Sequence, residues 1–315
     1  MSELERAVAT VIDQCLGIRD GEEVVVVVDN ATRAIGDALR GAAAQRGAEA
    51  VLTVMDPRPR DGAEPPAPVA GALKEADVFI APTSRSLSHT RARKAASEAG
   101  ARGATLPGVT EDMLARLMAA DFPTLQRRSR ALAELLSGAD AARFTCPRGS
   151  DLTLDLTGRT GIADDGDLTG PNAFGNLPCG EGFIAPVSGH GTLVASTLGA
   201  IGLSKEDPVV LTVEDGRLTD ARGANGALFL ETLHAGGALG TNLAELGIGT
   251  NERATLTGNV LEDEKILGTV HVAFGASAGI GGTVSVPVHL DCVVLEPTLD
   301  VGDTRVLEAG RLVLS

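Results

Sequence analysis

Two patterns predict an α/β protein with a doubly wound N-terminal α/β domain and a β-rich (α+β) C-terminal domain. In the first half, apolar runs of strand length alternate with amphipathic helical stretches, which is typical of a parallel sheet covered by helices. After about Asp140, period-two alternation and frequent glycine replace that pattern. The chain has 315 residues, of which 43% are apolar, so it is long enough for two domains, which we place at residues 1–148 and 149–315.

The first domain is predicted to open on an amphipathic helix and a fully buried strand. Leu4, Val8 and Ile12 fall at helical spacing, and the uninterrupted valines of Val24–Val28 are typical of a strand buried on both faces. Further strands are predicted at AEAVLTVMD, DVFIAPTS and GATLPG. Further helices are predicted over residues 32–45, 89–99, 111–119 and 125–136, and in a stretch that ends at Ala76.

The second domain is predicted to consist mostly of strands. DLTLDLTG alternates with period two, and HVAF, TVSVPVHLDCVVLE and RVLEAGRLVL are also predicted to be strands. One helix is expected near Leu228–Leu243.

Composition limits the partners of the chain. Asp and Glu outnumber Lys and Arg by 42 to 27, and the formal net charge of −15 repels phosphate backbones and anionic lipids. Seven Phe, with neither Tyr nor Trp, leave few aromatic platforms for stacking nucleic-acid bases. No apolar run approaches the roughly 20 residues of a membrane span, and the start of the chain does not resemble a signal peptide. The four widely spaced cysteines are expected to be thiols in a reducing cytoplasm.

Several common enzyme motifs are missing. GxGxxG does not follow the first strand, and neither GxxxxGK[ST] nor HExxH occurs. GASAG at residues 275–279 fits GxSxG, but a Gly-rich segment rather than a helix follows Ser277, so chance explains this match.

A cluster of potential metal ligands lies in the second domain. His289 and Asp291 stand two apart in a predicted strand, so they share one face, while Val288, Leu290 and Cys292 face the other way. A surface His–Asp hydrogen bond is the alternative interpretation. His271 lies in another predicted strand.

Two isolated carboxylates extend this set. Glu181 and Glu245 stand in apolar or Gly-rich strings, where an unpaired carboxylate is costly to bury, although an Arg partner or a solvated turn would also account for them. Two His, one Asp and two Glu suit Zn, Mn, Co or Fe(II). The two Glu would allow a second ion, whereas His271, His289 and Asp291 alone would form a facial triad for Fe(II).

Four strings resemble one enzyme family. NLPCGEGFIAP, NLAELGIGTN, EKILGTVHVAFG and HLD, in this order over residues 176–291, resemble the aminopeptidase T and aminopeptidase S family of metallopeptidases. The resemblance implies a dimer, an α/β domain joined to a β-rich catalytic domain, and removal of N-terminal residues from peptides by two divalent ions. It also implies a ligand set of Glu181, Glu245, His271, His289 and Asp291. The family has a Tyr seven residues after the first motif histidine, where this chain has Ala278.

A second family shares this fold. The chain also resembles the ring-opening 2,5-dihydroxypyridine dioxygenases, which implies one Fe(II) held by His271, His289 and Asp291 and an active-site histidine in the first domain. His89, in SRSLSHTRARKAA, suits that role, although SLSHT is also a helix-capping sequence. Nearby arginines would hold a carboxylate group of a small substrate; they are Arg91, Arg93 and Arg102.

We therefore expect a cytoplasmic, homodimeric metalloenzyme whose site lies between its halves and takes a peptide or another small molecule. The leading hypothesis is aminopeptidase-like hydrolysis by a metal-activated water, with Glu264 as general base. Its cofactors would be Zn, Co or Mn, with room for two ions. The alternative is a mononuclear Fe(II) ring-cleaving dioxygenase. A third hypothesis is a metal-binding protein without catalysis.

Overall fold

The computed structural model of the chain describes residues 1–203 and 208–314. Up to residue 137, helices alternate with strands, and a π-helix, Thr10–Cys15, extends the first helix. These elements are α1 (Glu3–Ala9), β1 (Glu23–Val28), α2 (Arg33–Gln45), β2 (Glu49–Val54), α3 (Ala67–Glu75), β3 (Val78–Ala81), α4 (Arg91–Ala99), β4 (Arg102–Thr105), α5 (Glu111–Leu117) and α6 (Phe122–Ser137).

Strands dominate the rest of the described chain. Two helices lie among them, α7 (Gly226–Ala235) and α8 (Val260–Asp263), with 3₁₀ turns at Gly199–Ile201 and Ala278–Ile280. The strands are β5 (Ala141–Thr145), β6 (Asp151–Asp155), β7 (Ile162–Asp164), β8 (Phe174–Asn176), β9 (Glu181–Ile184), β10 (Ser188–Ala195), β11 (Thr197–Leu198), β12 (Gly202–Leu203), β13 (Val209–Glu214), β14 (Arg217–Arg222), β15 (Leu243–Gly249), β16 (Val270–Gly275), β17 (His289–Val294), β18 (Thr298–Val301), β19 (Thr304–Glu308) and β20 (Arg311–Leu312).

The first compact unit is built on a parallel sheet with strand order β2-β1-β3-β4-β8. Val24–Val28 are all buried in β1, as predicted, because strands flank β1 on both sides and helices supply apolar cover. Strand β2 lies at the sheet edge, and Val51 and Val54 are about half exposed there.

The second unit contains two antiparallel sheets. One has the order β14-β13-β10-β6-β5-β18-β19-β20, and the other has the order β12-β11-β17-β16-β15-β9-β7. Apolar side chains from both sheets form one buried cluster, in which Leu154 and Leu193 of the first sheet join Leu246 and Val272 of the second. The apolar faces of the two sheets therefore share one core.

The predicted fold class is confirmed, while the division of the chain differs from a single boundary near Gly149. The first unit comprises Met1–Ala120 and Gly166–Cys179, and the second comprises Asp121–Asp165 and everything described from Gly180 onward. The amphipathic face of α6 packs on β7 and β9, which places that helix in the second unit. Strand β8 returns to the first unit because it pairs with β4.

Two local predictions are wrong in part. The helix expected over Leu228–Leu243 ends at Ala235, because the glycines that follow make turns, and residue 243 already begins β15. The strand expected from Thr283 begins only at His289, since Pro287 has no N–H to donate to a neighbouring strand. Within the described ranges, none of the helices has the length and apolar character needed to cross a bilayer.

Candidate metal centre

The second antiparallel sheet brings together all five residues that the sequence singled out as metal ligands. They lie on four strands that are consecutive in the sheet, β17, β16, β15 and β9. They are Glu181 on β9, Glu245 on β15, His271 on β16, and His289 and Asp291 on β17.

Strand register places these side chains on one face. Glu245 and Asp291 both pair with Ala273 of β16, from opposite sides. His271 stands two residues before Ala273, so it shares their face. On the other face, Leu246, Val272 and Cys292 belong to the apolar core, as the alternation around HLD predicted for Cys292.

The ligand atoms form two overlapping trios. The inner trio consists of Glu181, Glu245 and His271, and the outer trio consists of Glu245, His289 and Asp291. His271 Nε2 lies 3.0 Å from Glu181 Oε2 and 3.4 Å from Glu245 Oε1. His289 Nε2 lies 3.3 Å from Glu245 Oε2 and 3.5 Å from Asp291 Oδ1. Glu245 therefore contributes one oxygen to each imidazole.

The trios differ in exposure. All members of the inner trio are buried, whereas 16% of the His289 side chain is exposed. A ligand approaching from solvent therefore has access to the outer trio.

The donor atoms fit a cation. Neither ring nitrogen of the buried His271 has a hydrogen-bond partner among the described residues, although carboxylate oxygens lie beside Nε2. A buried polar atom without a hydrogen bond is rare and calls for an explanation. Imidazole nitrogen and carboxylate oxygen converging in a dry place are the donor set of Zn, Mn or Fe(II).

His289 is oriented for the same role. Its Nδ1 lies 2.7 Å from the carbonyl oxygen of Ala276, which is an acceptor only, so Nδ1–H donates and Nε2 faces Glu245 and Asp291. Metal-binding histidines are usually fixed in this way by a hydrogen bond from the other ring nitrogen.

Gly247 leaves room for the His271 ring. The two residues pair directly across β15 and β16. A Cβ on Gly247 would lie 2.0 Å from His271 Nε2, far inside van der Waals contact. Nothing in the sequence singled out Gly247, because a glycine between Leu246 and Ile248 carries no chemical signal.

A buried lysine lies next to the inner trio, in contact with Glu181. Lys265 Nζ lies 2.5 Å from Glu181 Oε1, 2.9 Å from Glu264 Oε1 and 3.1 Å from Asp164 Oδ2. Neither Lys265 nor Asp164 had been singled out from the sequence. The only available signal was one lysine among the acids of LEDEK.

The other two acids of LEDEK hold a loop. The Glu262 carboxylate accepts hydrogen bonds from the backbone N–H and hydroxyl of Thr255. The Asp263 carboxylate accepts bonds from the N–H groups of Thr257 and Gly258. These contacts fix the segment that leads into Lys265.

The electrostatics of the ligands are set by their neighbours. Burial alone would raise the pKa of Glu245, but the imidazoles of His271 and His289 reverse this and hold the pKa below its usual value. Burial alone would lower the pKa of both histidines, but their carboxylate neighbours raise it well above the usual range. A cation that binds here competes with protons for the ring nitrogens.

Glu264, the predicted general base, lies just after α8 and is largely buried. Burial is the main cause that raises the pKa of Glu264 to about 8, and the nearby charges of Glu181 and Asp291 add to it, against the opposing effect of Lys265. Its role as a base stays a prediction.

His89, predicted to act from the first domain, is exposed and lies in the turn before Thr90, the N-cap of α4. Its catalytic role also stays a prediction. The neighbouring arginines already have partners. Arg91 pairs with Glu64 and Arg102 pairs with Glu22, while Arg93 stacks on Phe174 and donates to a backbone carbonyl.

Comparison with known proteins places the chain in a family. A family model described as NicX, 2,5-dihydroxypyridine 5,6-dioxygenase, matches residues 3–314. The chain belongs to this family. The prediction that it is an enzyme is thereby confirmed, and the match favours the dioxygenase that the sequence analysis gave as its alternative.

Two solved structures share the fold of this NicX-family chain. The 2,5-dihydroxypyridine dioxygenase from Pseudomonas putida KT2440 matches with a TM-score of 0.85 at 19% identity, covering 100% of this chain and 99% of that one. Wild-type AmpT from Thermus thermophilus matches with a TM-score of 0.71 at 22% identity, covering 99% of both chains. The resemblance to both enzyme families is confirmed, and the likeness to AmpT is one of fold. No curated protein matches the chain significantly.

Proposed function

We propose that this protein is a ring-cleaving dioxygenase that acts on a small hydroxylated N-heterocycle such as 2,5-dihydroxypyridine, with one Fe(II) as its cofactor. His271, His289 and Asp291 would hold the ion, with Glu245 between the two imidazoles. The observation that carries the proposal is the convergence of two imidazoles and two carboxylates on one buried sheet face, in a chain matched by the NicX family over residues 3–314. Two imidazoles and one carboxylate are the ligand set of non-haem Fe(II) oxygenases.

When bound, Fe(II) would supply the oxygen chemistry of ring opening. The side chains around the ion would fix the positions of its ligands and set the charge of the site. The Ala276 carbonyl keeps the His289 ring in one orientation, and Glu245 spans both imidazoles. A planar substrate would approach the ion from the side of His289, the most exposed of these side chains.

Proton transfer would fall to two groups. Glu264 has a pKa raised to about 8, mainly by burial, and a base near neutral pH can accept the proton of a ring hydroxyl. His89 would act from the first domain, following the resemblance to the dioxygenases. Dimer formation and a cytoplasmic location belong to the same proposal.

Hydrolysis of peptides is the second candidate, and one observation favours it. Glu245 belongs to both trios, as a carboxylate bridging two ions would. Against it stand the lack of any tyrosine in the chain and the ammonium of Lys265, which already occupies one oxygen of Glu181. The related fold of AmpT leaves both chemistries open to test.

The test is oxygen uptake by protein loaded anaerobically with Fe(II). We expect one O₂ consumed per 2,5-dihydroxypyridine opened, and no uptake by the same protein loaded with Zn²⁺. His289→Ala should abolish uptake, while His234→Ala, at an exposed position on α7, should not. Cleavage of leucine anilide without oxygen consumption, under Zn, Co or Mn, would overturn the proposal in favour of hydrolysis.

A further inference from the structure

Lys265 presents an ammonium group inside the protein. Only 1% of its side chain is exposed, and three carboxylates surround its Nζ at 2.5–3.1 Å. Burying a charge is costly unless it is paired. The buried ammonium of Lys265 therefore needs these carboxylates, and the carboxylates need the ammonium.

The three acids come from separate parts of the sheet region. Asp164 and Glu181 are direct cross-strand partners on β7 and β9, and Glu264 precedes Lys265 itself. Like charges directly opposite each other destabilise a strand pair. The ammonium offsets that repulsion, and the backbone of Lys265 is fixed by hydrogen bonds to Glu262 and Asn251.

The cluster continues without interruption into the proposed metal centre. Oε1 of Glu181 contacts the ammonium of Lys265, and Oε2 of Glu181 lies beside the imidazole of His271. His271 in turn contacts Glu245. The row of contacts ends at His289, the most exposed member. One end of the row therefore carries a fixed cation, and the other end faces solvent.

We propose that Lys265 is a positioning residue that takes the place of a second divalent ion. It holds Glu181 against His271 and limits the centre to one metal ion. The inference rests on the proposed single-metal function and deepens it. Two divalent ions need carboxylates to offset their mutual repulsion, and here an ammonium already occupies the carboxylates on the inner side.

The protonation state of Lys265 agrees with this role. Burial alone would lower the pKa of Lys265, but the charges of Glu181, Glu264 and Asp164 raise it well above its usual value. The ion pairs around Lys265 thus favour its charged form.

The test is the number of ions bound per chain. Metal-free full-length protein is titrated with excess Zn²⁺ and with Mn²⁺, and the bound ions are counted by native mass spectrometry and elemental analysis. We expect one ion for the wild type and two for Lys265→Ala, which removes the ammonium and leaves room for a cation. Lys265→Arg, which keeps the charge, should again bind one.

A charge-matched variant separates electrostatics from shape. Lys265→Ala combined with Glu264→Gln removes one charge of each sign, and we expect one ion. Lys74→Met, at an exposed position on α3, is the control and should bind one. Should Lys265→Ala fold only when excess Zn²⁺ is present, that dependence supports the proposal as well, because the ion then replaces the ammonium.

Two results would overturn the proposal. One is a wild-type protein that binds two ions, and the other is a Lys265→Ala variant that folds without added metal and still binds one. These counts need no substrate. A one-ion protein that fails to consume oxygen would therefore refute the proposed function and leave the role of Lys265 intact.

Discussion

The inner and outer trios share Glu245 but differ in how their charge is balanced. On the inner side, Glu181 contacts a buried ammonium, and every member is buried. On the outer side, Asp291 lies beside the imidazole of His289, which reaches solvent. The inner side already contains the ammonium of Lys265, so we expect an added divalent ion to bind more favourably on the outer side.

This difference separates two chemistries that the fold alone leaves open. AmpT and the Pseudomonas putida dioxygenase are both similar to this chain over nearly its full length. A shared fold does not decide function, because the chemistry depends on the site. We therefore expect substitutions that change the charge around Lys265 and Glu245 to distinguish the two chemistries.

The largest effect is expected from removing the buried ammonium while keeping its volume. Lys265→Met leaves three carboxylates without their partner, which should lower the free energy of unfolding by about 3–5 kcal/mol. Urea unfolding of metal-free protein measures it. Adding Glu264→Gln should restore part of the lost stability. Lys74→Met should leave the free energy of unfolding almost unchanged. A Lys265→Met variant as stable as the wild type would show that the inner side needs no cation.

The next effect concerns the outer trio. His289→Ala removes a direct ligand and should weaken divalent-ion binding by about 100-fold or more, since loss of even an indirect partner costs 10–100-fold. The fold should remain, because one member of a local cluster is lost. Calorimetric titration with Mn²⁺ measures affinity, and circular dichroism checks the fold. Full occupancy in this variant would contradict the assignment, while His234→Ala should bind as the wild type does.

A pH series probes the inner side in metal-free protein. The pKa of Asp164 is raised to about 7 and that of Glu264 to about 8, mainly by burial. The folded protein therefore holds more protons than the unfolded chain above about pH 4.5, so stability falls as pH rises toward 7–8. One extra proton corresponds to about 1.4 kcal/mol per pH unit.

Thermal unfolding of chelator-treated protein between pH 5 and pH 7 measures this loss. Glu264→Gln cannot titrate, so its profile should be flatter. A wild-type stability that rises over this range would contradict the assignment of these raised pKa values.

The smallest effect is expected at a glycine. Gly247→Ala places a Cβ where the His271 ring lies, so the ring must shift and metal affinity should fall about tenfold. Gly71→Ala is the matched control, because nothing lies within 4 Å of its added Cβ. Equal affinities for both variants in a metal titration would mean that His271 does not contribute to binding.

The fold was predictable where one local pattern decides it. Five valines in a row have no exposed face, so Val24–Val28 had to enter a sheet interior. The strand expected before His289 failed because Pro287 interrupts an otherwise β-branched run. The pairing of β8 with the parallel sheet could not be predicted from the sequence, because Phe174–Asn176 is too short to show a periodicity.

The site was predictable where a residue is chemically out of place. Glu181, Glu245 and the HLD string stand out because charges among apolar or glycine neighbours need a reason. Lys265 and Asp164 did not stand out, since a lysine among acids looks like a solvated face, and only the pairing of β7 with β9 brings Asp164 to it. Long-range pairing of this kind leaves no mark on a single sequence.

We expect one divalent ion to be held by His271, His289 and Asp291, with Glu245 beside it, while Lys265 serves as the inner cation. Anomalous diffraction from a crystal soaked in Zn²⁺ tests it directly. We predict one peak per chain, with Asp291, His271 Nε2 and His289 Nε2 at bonding distances of roughly 2.0–2.2 Å and Lys265 still against Glu181. Two peaks about 3.5–4 Å apart, bridged by Glu245, would contradict the claim and favour a two-metal hydrolase.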